Sequence, residues 1–372
     1  MLESVRGSAR ELPEFYRGIR AMGMGNAYTA VANDEDSVFY NPAGLAQIRR
    51  MRFNFINPKL EASKDDYSSV QDIGDAAEQF DASAVSKLFG KNIYANGSMF
   101  PNIAFPHFLL GFIYQGEFHL QARNKAMPRV ETRYLLDRGL VGGFAFELRG
   151  LSRRHFLRLG TSVKWITRRG FDTTIPLAKL MAADKSYFKS LLKGPASGVG
   201  LNVGLQYDIP IALTDDLIIG SAWQDVGDTD FASRVNGDGP PKIRNNLSAG
   251  LGWIHRFSKK STAMQNIKVT AEARHLTEEN RDPRLKAHLG MELDLDSIFL
   301  RFGMNDLAYT AGVGLDMWLI RVAAATYAVE TQTLAGMDKE RRFALQLEFG
   351  FDLARKTSRT GRQEDRYRRP RQ

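Results

Sequence analysis

The sequence predicts an all-β protein, and favours a transmembrane antiparallel β-barrel over a soluble sandwich. Apolar and polar residues alternate along many segments, each segment is long, and turn-like breaks separate them. Alternation with period two is typical of strands with one apolar and one polar face. Soluble strands average about five or six residues, whereas a tilted strand needs about ten to cross a bilayer. A soluble β-sandwich gives the same pattern with its apolar face inward, and strand length and number favour the barrel.

The chain begins with a segment that does not follow this alternation. Residues 18–46 read GIRAMGMGNAYTAVANDEDSVFYNPAGLA, in which Gly23 and Gly25 permit a tight backbone path. Pro42 restricts Asn41 to an extended conformation and is suited to opening a short helical turn. We therefore interpret this stretch as a buried structural plug and not as a catalytic site.

Strands are predicted from about residue 130 to near the end of the chain. The polar faces carry both charge signs and many glycines, which suits a wet barrel interior with lipid against the apolar faces. The alternating segments are 130–148, 155–168, 198–208, 244–257, 266–275, 284–294, 298–305 and 343–353. We expect carboxylates of the polar faces to pair with cations of the same faces: Glu272 with Arg274, Glu292 with Lys286, and Glu348 with Arg342.

Aromatic residues near the predicted strand ends suit the interfacial girdles of a membrane barrel. Trp253 with Phe257 and Trp165 with Phe156 are the examples, although ordinary core packing explains single aromatics equally well.

Two segments depart from the strand pattern. Residues 72–90 and 176–192 have apolar spacing closer to 3.6 residues, which predicts short helices within long loops. Loop packing explains them more simply than a lid function.

The net charge of +9 is concentrated at the C-terminus. Residues 354–372 contain eight Lys or Arg and two Asp or Glu, so this tail contributes +6 and the other 353 residues only +3. Such a run predicts a basic disordered tail. Because aromatic platforms are absent apart from Tyr367, we expect no nucleic-acid partner.

Motifs for the common enzyme classes are missing. Gly23 and Gly25 resemble the start of a dinucleotide fingerprint, but Tyr28 occupies the third position and no apolar strand precedes it. The sequence has no Walker phosphate loop, HExxH or GxSxG motif, and no cysteine. Among six dispersed histidines, His275 and His288 lie on neighbouring predicted strands, where a structural role is more probable than a metal site. We predict no enzyme activity, no cofactor and no metal.

Targeting signals are also missing from the sequence. It has no run of about 18 apolar residues for a transmembrane helix. The start, MLESVRGSARELPEF, has charges where a signal peptide has its apolar core. We expect either a cytosolic protein or a mature form from which a signal peptide has been removed.

The plug stretch closely resembles the N-terminal signature of the FadL-like outer-membrane proteins, which include long-chain fatty acid transporters and the PorV/PorQ-like branch. That signature has a G-x-R-A start, an acidic D-x-x-(A/S)-V-F-Y part and a terminal N-P-A. The matching residues are Gly18, Arg20, Ala21, Gly23, Gly25, Ala27, Asp36, Ser37, Val38, Phe39, Tyr40, Asn41, Pro42, Ala43 and Gly44. The closing part, AGVGLDMWLIRVAAATYAVE followed by RRFALQLEFGFDL, looks like the last two strands of such barrels.

The resemblance implies a barrel of about 14 antiparallel strands in a bacterial outer membrane, with an N-terminal hatch inside the lumen. It divides the chain into a hatch at 1–50, a barrel at 51–353 and the tail at 354–372. The expected function is gated transport or binding of hydrophobic or amphiphilic molecules such as fatty acids and lipids. The hatch residues that carry over are Gly23, Gly25, Phe39, Tyr40, Asn41, Pro42 and Ala43.

An alternative of a different class stays open. A structural or scaffold barrel in the outer membrane would act as a homo-oligomer or with a secretion partner, and no solute would cross it. The charged polar faces fit this alternative, because they do not form a greasy tunnel along the whole lumen.

Overall fold

The computed structural model describes most of the chain. The described residues are 11–64, 92–123, 129–150, 152, 154–176, 179, 187, 190–231, 239–257, 264–332 and 334–353. The helix predicted at 72–90, most of the one predicted at 176–192, and the basic tail lie outside the described residues.

Strands dominate the described residues. Two short α-helices, α1 (Ile19–Gly23) and α2 (Ser37–Tyr40), and 3-10 turns at Pro42–Gln47 and Pro283–Lys286 accompany them. The strands are β1 (Met51–Ile56), β2 (Lys59–Ser63), β3 (Asn92–Met99), β4 (Asn102–Phe105), β5 (Phe108–Arg123), β6 (Arg129–Arg149), β7 (Phe156–Pro176), β8 (Lys193–Pro210), β9 (Asp215–Gln224), β10 (Asn246–Arg256), β11 (Asn266–Ala273), β12 (Ala287–Leu295), β13 (Ile298–Asn305), β14 (Ala308–Met317), β15 (Ile320–Glu330) and β16 (Lys339–Leu353).

These sixteen segments form fourteen wall strands. β1 and β2 pair in succession with β16, and β4 and β3 pair in succession with β5, so each couple is one interrupted strand. Every pairing is antiparallel, and the contacts of β16 with both β15 and β1–β2 close the sheet into a barrel. A closed barrel leaves no unpaired edge, as a membrane requires. The predicted barrel of about 14 strands is confirmed.

Proline causes both interruptions, which lie side by side in the wall. Pro58 separates β1 from β2, and Pro101 separates β4 from β3; neither residue has an N–H to donate to the ladder. Asn57 bridges the gap, because its side chain donates to the Phe100 carbonyl and accepts from the Phe100 N–H, each at 2.6 Å. We call this region, residues 56–58 with 100–101, the wall break.

The two faces of the wall have opposite chemistry. Exposed apolar side chains face outward all round the barrel; examples are Phe144, Val199, Leu251 and Phe302. Inward positions are buried and mostly polar or charged, which is the reverse of a soluble sandwich, although Leu109, Ile113 and Val141 form an apolar strip among them. An exposed apolar band around a closed barrel is the arrangement that fits a lipid bilayer. Among the described helices none is long and apolar enough to cross a membrane.

The barrel has two unlike ends. The end that holds Met51 and Leu353, here called the turn end, has mostly short connections: 106–107, 150–155, 211–214, 257–265, 296–297 and 318–319. The opposite loop end has connections at 64–91, 124–128, 177–192, 225–245, 274–286, 306–307 and 331–338. Short turns on the periplasmic side and longer loops outside are typical of outer-membrane barrels.

Several predicted strand boundaries are wrong: the strand predicted at 155–168 continues to Pro176, the one at 198–208 begins at Lys193, and the one at 343–353 begins at Lys339. The strand predicted at 284–294 begins only at Ala287, because Asp282 accepts from the Arg284 N–H and Pro283 opens a 3-10 turn. The closing part of the chain contains three strands, β14 to β16, and not two. A tight turn at Trp318, with φ of 59°, separates β14 from β15 within what looked like one strand.

Candidate functional site

Residues 11–48, here called the plug segment, occupy the lumen. Their side chains are mostly buried, and their contacts reach inward-facing residues on wall strands from β5 to β16. From Gly18 onward the segment folds on itself through backbone hydrogen bonds, among them Met22 N–H to Gly18 O at 2.9 Å and Asn41 N–H to Ser37 O at 2.9 Å. The segment is therefore a compact body enclosed by the wall.

Asn41 and Pro42 fasten the plug segment to β7 and β8. The Asn41 amide donates to the Thr29 carbonyl at 2.8 Å and to the Leu205 carbonyl at 3.0 Å, and accepts from the Ala43 N–H at 3.1 Å. Asn41 is extended (φ −147°, ψ 99°), and Pro42 begins the 3-10 turn, as the sequence predicted. Asn41 thus joins two parts of the plug segment to the wall.

Glycines on both surfaces allow the plug segment to touch the wall backbone. Gly25 has φ of 64°, and a Cβ there would lie 2.2 Å from the Leu289 carbonyl oxygen. Thr310 ties this point down, because its hydroxyl donates to Gly23 O and accepts from Gly25 N–H, both at 3.0 Å. Eight inward glycines form a belt on which an added Cβ would come within 3.1 Å of plug atoms: Gly143, Gly160, Gly204, Gly220, Gly252, Gly290, Gly303 and Gly312.

Phe39 and Tyr40 point to different partners. The Phe39 ring stacks on Tyr16 at a centroid distance of 4.2 Å and meets the edge of Phe100, at the wall break, at 4.8 Å. The Tyr40 hydroxyl accepts from the Gly18 N–H at 3.0 Å. Phe39 thus belongs to an apolar patch beside the wall break, and Tyr40 holds the plug segment together.

Ion pairs anchor the first residues of the plug segment near the loop end. Arg342 of β16 binds both carboxylate oxygens of Glu11, at 2.7 and 2.9 Å. Glu14 accepts from Arg274 at 3.1 Å and contacts His275 at 3.2 Å. Burial alone raises the pKa of the Glu14 carboxyl, but Arg274 and His275 hold it well below its usual range. Glu14 is therefore an anion when the segment is in place.

A larger charge cluster lies around Glu292 of β12. The Arg20 guanidinium donates to both Glu292 oxygens at 2.7 Å, while Lys268 and Arg301 contact the same carboxylate at 2.6 and 2.9 Å. Arg20 also donates to Asp34 at 2.9 Å. The predicted pairing of Glu292 with Lys286 is wrong, because Glu292 faces the lumen, where the plug segment supplies a cation.

Two other predicted pairs have different outcomes. Glu272 pairs with Arg274 at 3.2 Å, as expected, and also accepts from the Thr29 hydroxyl at 2.6 Å. Glu348 pairs with Arg321 at 3.7 Å and not with Arg342, which binds Glu11. The plug segment supplies Thr29 as a second partner of Glu272, and it supplies Glu11 as the partner of Arg342.

The histidines contact the plug segment individually. His288 lies 3.0 Å from the Gly25 carbonyl oxygen, and His275 lies against Glu14. In the described part of the chain, Glu11, His119 and Glu340 stand close enough together to suggest a metal site. Arg342 already binds both carboxylates there, at 2.7 and 2.6 Å, so its positive charge occupies the place a cation would need.

Only small spaces remain between the plug segment and the described wall. Two clefts lined by Pro13, Glu14 and Phe15 have volumes of about 30 and about 20 Å³, enough for one or two water molecules. A third of about 20 Å³ lies between Glu14 and His288.

The sequence predicted the residues that shape the plug segment but not the charged residues that anchor it to the wall. The structure brings Gly23, Gly25, Phe39, Tyr40, Asn41, Pro42 and Ala43 into the lumen, where all are buried. It adds Glu11, Glu14, Arg20 and Thr29, whose partners Arg342, Arg274, Glu292 and Glu272 lie hundreds of positions away. The available signal was charge balance, because charged inward faces need counter-ions and the N-terminal segment carries them.

Comparisons with known proteins give limited structural similarities. No family model matches the chain, and no curated relative matches it. The Ralstonia pickettii toluene transporter TbuX is similar at TM-score 0.46 and 10% identity, over 90% of this chain and 98% of that one. The monoaromatic hydrocarbon channel CymD has TM-score 0.45 and 9% identity, over 90% of this chain and 97% of that one. The Pseudomonas putida toluene transporter TodX has TM-score 0.43 and 10% identity, over 93% of this chain and 99% of that one. The Escherichia coli outer membrane phospholipase A has TM-score 0.30 and 12% identity, over 82% and 96%.

TM-scores below 0.5 at identities near 10% are too low to indicate what this chain does. The strand pairing and the enclosed N-terminal segment themselves define the class of protein, a transmembrane β-barrel with a filled lumen. Its fourteen strands and internal Asn41–Pro42 turn agree with the FadL-like architecture that the sequence signature implied.

Proposed function

We propose that this protein is a bacterial outer-membrane barrel that transports or binds hydrophobic or amphiphilic molecules, such as fatty acids and other lipids, with the plug segment as its gate. The exposed apolar band and the unlike ends support the membrane placement. The FadL-like signature of residues 18–46 supports this class of cargo.

The observation that carries the proposal is an apolar patch at the wall break. Tyr16, Phe39 and Phe100 stack together there, at one end of a larger cluster of buried apolar side chains that includes Leu109, Ile113 and Val141. Gly111 of β5 leaves room for the Phe100 ring, whose Cε2 atom would lie 2.6 Å from an added Cβ. An apolar cargo in contact with these rings would be next to the interrupted strands, and it would leave sideways into the membrane.

Transport requires the plug segment to move. An apolar cavity of about 150 Å³ binds benzene, whereas the clefts among the described residues beside the plug segment have about 20 to 30 Å³. The cargo must therefore displace part of residues 11–48. The ion pairs of Glu11, Glu14 and Arg20 determine how much that displacement costs.

A disulfide lock tests this gate. The natural chain has no cysteine, and an added Cβ at Gly252 would lie 3.4 Å from the Ala30 Cβ, close to disulfide geometry. The same Cβ would lie 2.7 Å from the Val31 Cγ1 methyl, a side-chain end that has to turn aside, whereas a Cβ at Gly303 meets backbone atoms. We expect liposomes that contain the oxidised Ala30→Cys/Gly252→Cys protein to take up no fluorescent C16 fatty acid. Reduction of the disulfide should restore uptake. The reduced form of the same variant is the control. Equal uptake in both forms would contradict gating by the plug segment.

The scaffold barrel is the second candidate, and the filled lumen favours it. Glu292 and Arg342 are fully buried under the plug segment, as expected for a permanently closed barrel. A scaffold predicts a stable protein partner or homo-oligomer, and no uptake by either form of the locked variant. Cross-linking in cells followed by mass spectrometry would identify that partner.

A further inference from the structure

Three cations face outward at the loop end of β16 and β2. On β16, Lys339 and Arg341 precede the apolar outward residue Phe343 and lie nearer the loop end, and Lys64 comes directly after the last residue of β2. Lys64 stands directly opposite Arg341, because its N–H donates to the Arg341 carbonyl at 2.9 Å. Like charges placed opposite each other in a sheet are destabilising. An anion bound beside these three cations would remove that repulsion.

The described carboxylates near this cluster are engaged elsewhere. Glu330 pairs across the strands from Lys339, but its carboxylate accepts from the backbone N–H groups of Gly336 and Asp338 at 2.8 and 2.7 Å. Glu340 points into the lumen, where it binds Arg342. Among the described residues, Lys339 and Arg341 donate to the backbone carbonyls of Leu307 and Tyr309 respectively, at 2.9 Å each, and to no carboxylate.

Other exposed cations at the same end differ in this respect. Lys242, Arg244 and Arg284 each form an ion pair with a carboxylate, at 2.6, 3.1 and 2.8 Å respectively. The charge of these three cations is already balanced, so they provide a matched comparison for Lys64, Lys339 and Arg341.

The cluster lies at the height of a lipid headgroup. Below it, Phe343, Leu345 and Leu60 are at least half exposed and belong to the apolar band. Arg341 reaches across Ala328, its cross-strand neighbour, and places its guanidinium 3.9 Å from the ring centre of Tyr309, which is 70% exposed. Exposed Tyr beside cations, directly above an apolar band, marks the membrane interface.

We propose that Lys64, Lys339 and Arg341 form a binding site for a phosphate of the glycolipid in the outer leaflet of the outer membrane. Arg matches phosphate geometry with two parallel donors, and Lys adds point charges. The acyl chains of the same lipid would lie along Phe343, Leu345 and Leu60. The site rests on the membrane placement proposed above and not on transport or gating.

The test uses the full-length protein in detergent and native mass spectrometry with bisphosphorylated lipid A as the probe. The variant is Lys64→Gln/Lys339→Gln/Arg341→Gln, and the matched control is Lys242→Gln/Arg244→Gln/Arg284→Gln, which removes the same charge from the same end. We expect the first variant to bind lipid A about 100-fold more weakly than the natural chain, and the control to bind within about threefold of it.

Two further probes identify the source of the phosphate. Dephosphorylated lipid A is expected to bind weakly and equally to all three proteins, because only the phosphate distinguishes them. Phosphatidylglycerol that binds as tightly as lipid A would overturn the glycolipid assignment, and equal loss in both variants would overturn the site. Heat-dependent gel mobility confirms folding of each barrel. The lipid A binding result does not depend on whether the locked variant loses fatty-acid uptake.

Discussion

Removing the Arg20 guanidinium should release the plug segment without unfolding the barrel. Arg20→Met keeps much of the side-chain volume but deletes the two hydrogen bonds of 2.7 Å to Glu292 of the wall. It also deletes the bonds of Arg20 within the plug segment, to Asn33 at 2.7 Å and to Tyr28 and Asp34 at 2.9 Å each. Lys268 and Arg301 remain on Glu292 at 2.6 and 2.9 Å, so that buried carboxylate keeps counter-charges. The cost therefore falls mainly on docking of the plug segment.

The magnitude follows from the hydrogen bonds that are lost. A hydrogen bond to a charged group contributes about 1.5–3 kcal/mol, and the two remaining cations on Glu292 place the total near the lower end, at about 3 kcal/mol. A loss of that size raises the population of the released state about 100-fold.

Labelling of a buried thiol measures that population. Val31 is 2% exposed in the plug segment, and Val31→Cys introduces one smaller side chain into a cysteine-free protein. Because a maleimide reaches this thiol only in the released state, its labelling rate reports the released fraction. We expect Arg20→Met to raise the rate about 100-fold.

The control is Arg244→Met in the same Val31→Cys background. Arg244 forms an exposed pair with Glu278, and such surface pairs contribute about 0–1 kcal/mol. We expect its labelling rate to stay within about fivefold of the parent. A rate in Arg20→Met no higher than in the control, with a folded barrel, would refute the idea that buried ion pairs hold the plug segment.

Three further outcomes use the same reasoning. Asn41→Ala removes the Asn41 donor from the Thr29 and Leu205 carbonyls. An unpaired buried group costs about 1–3 kcal/mol, so labelling of Val31→Cys should rise at least about fivefold; an unchanged rate would show that Asn41 is not an anchor. Gly303→Ala places a Cβ 2.5 Å from the Gly25 nitrogen and should displace the plug segment, whereas in the control Gly97→Ala the added Cβ meets nothing closer than 3.7 Å and should not. Burial alone would raise the pKa of Glu11, but Arg342 and Arg17 hold it well below its usual range. The stabilisation is fully present above the ordinary pKa, declines as the pH falls between the ordinary and the lowered pKa, and is absent below the lowered one. The barrel should therefore stay non-conducting in planar bilayers from pH 7 to about pH 5, and opening near pH 6 would contradict this.

Local sequence rules predicted the elements whose causes are local. Alternation identified the wall strands and which face meets lipid, and the Asn41–Pro42 dipeptide predicted an extended residue followed by a helical turn. The two strands on either side of Trp318 were merged because a turn at a positive-φ tryptophan has no turn residues to mark it.

The ion pairs depend on distant parts of the chain and escaped these rules. The same alternation that placed Glu292 and Arg342 on the inward face does not say which residue meets them there. Their partners Arg20 and Glu11 lie 272 and 331 positions away. The inward glycines were interpreted as part of a wet interior, but several of them mark where the plug backbone rests on the wall.

The central claim is that residues 11–48 rest inside the barrel against its inner wall. Oxidation of Ala30→Cys/Gly252→Cys protein in intact outer membranes, followed by mass spectrometry of the linked peptides, tests it most directly. The 3.4 Å between the Ala30 Cβ and an added Cβ at Gly252 predicts a disulfide in nearly all molecules. Two free thiols that a membrane-impermeant maleimide labels at the rate of an exposed cysteine would contradict the claim.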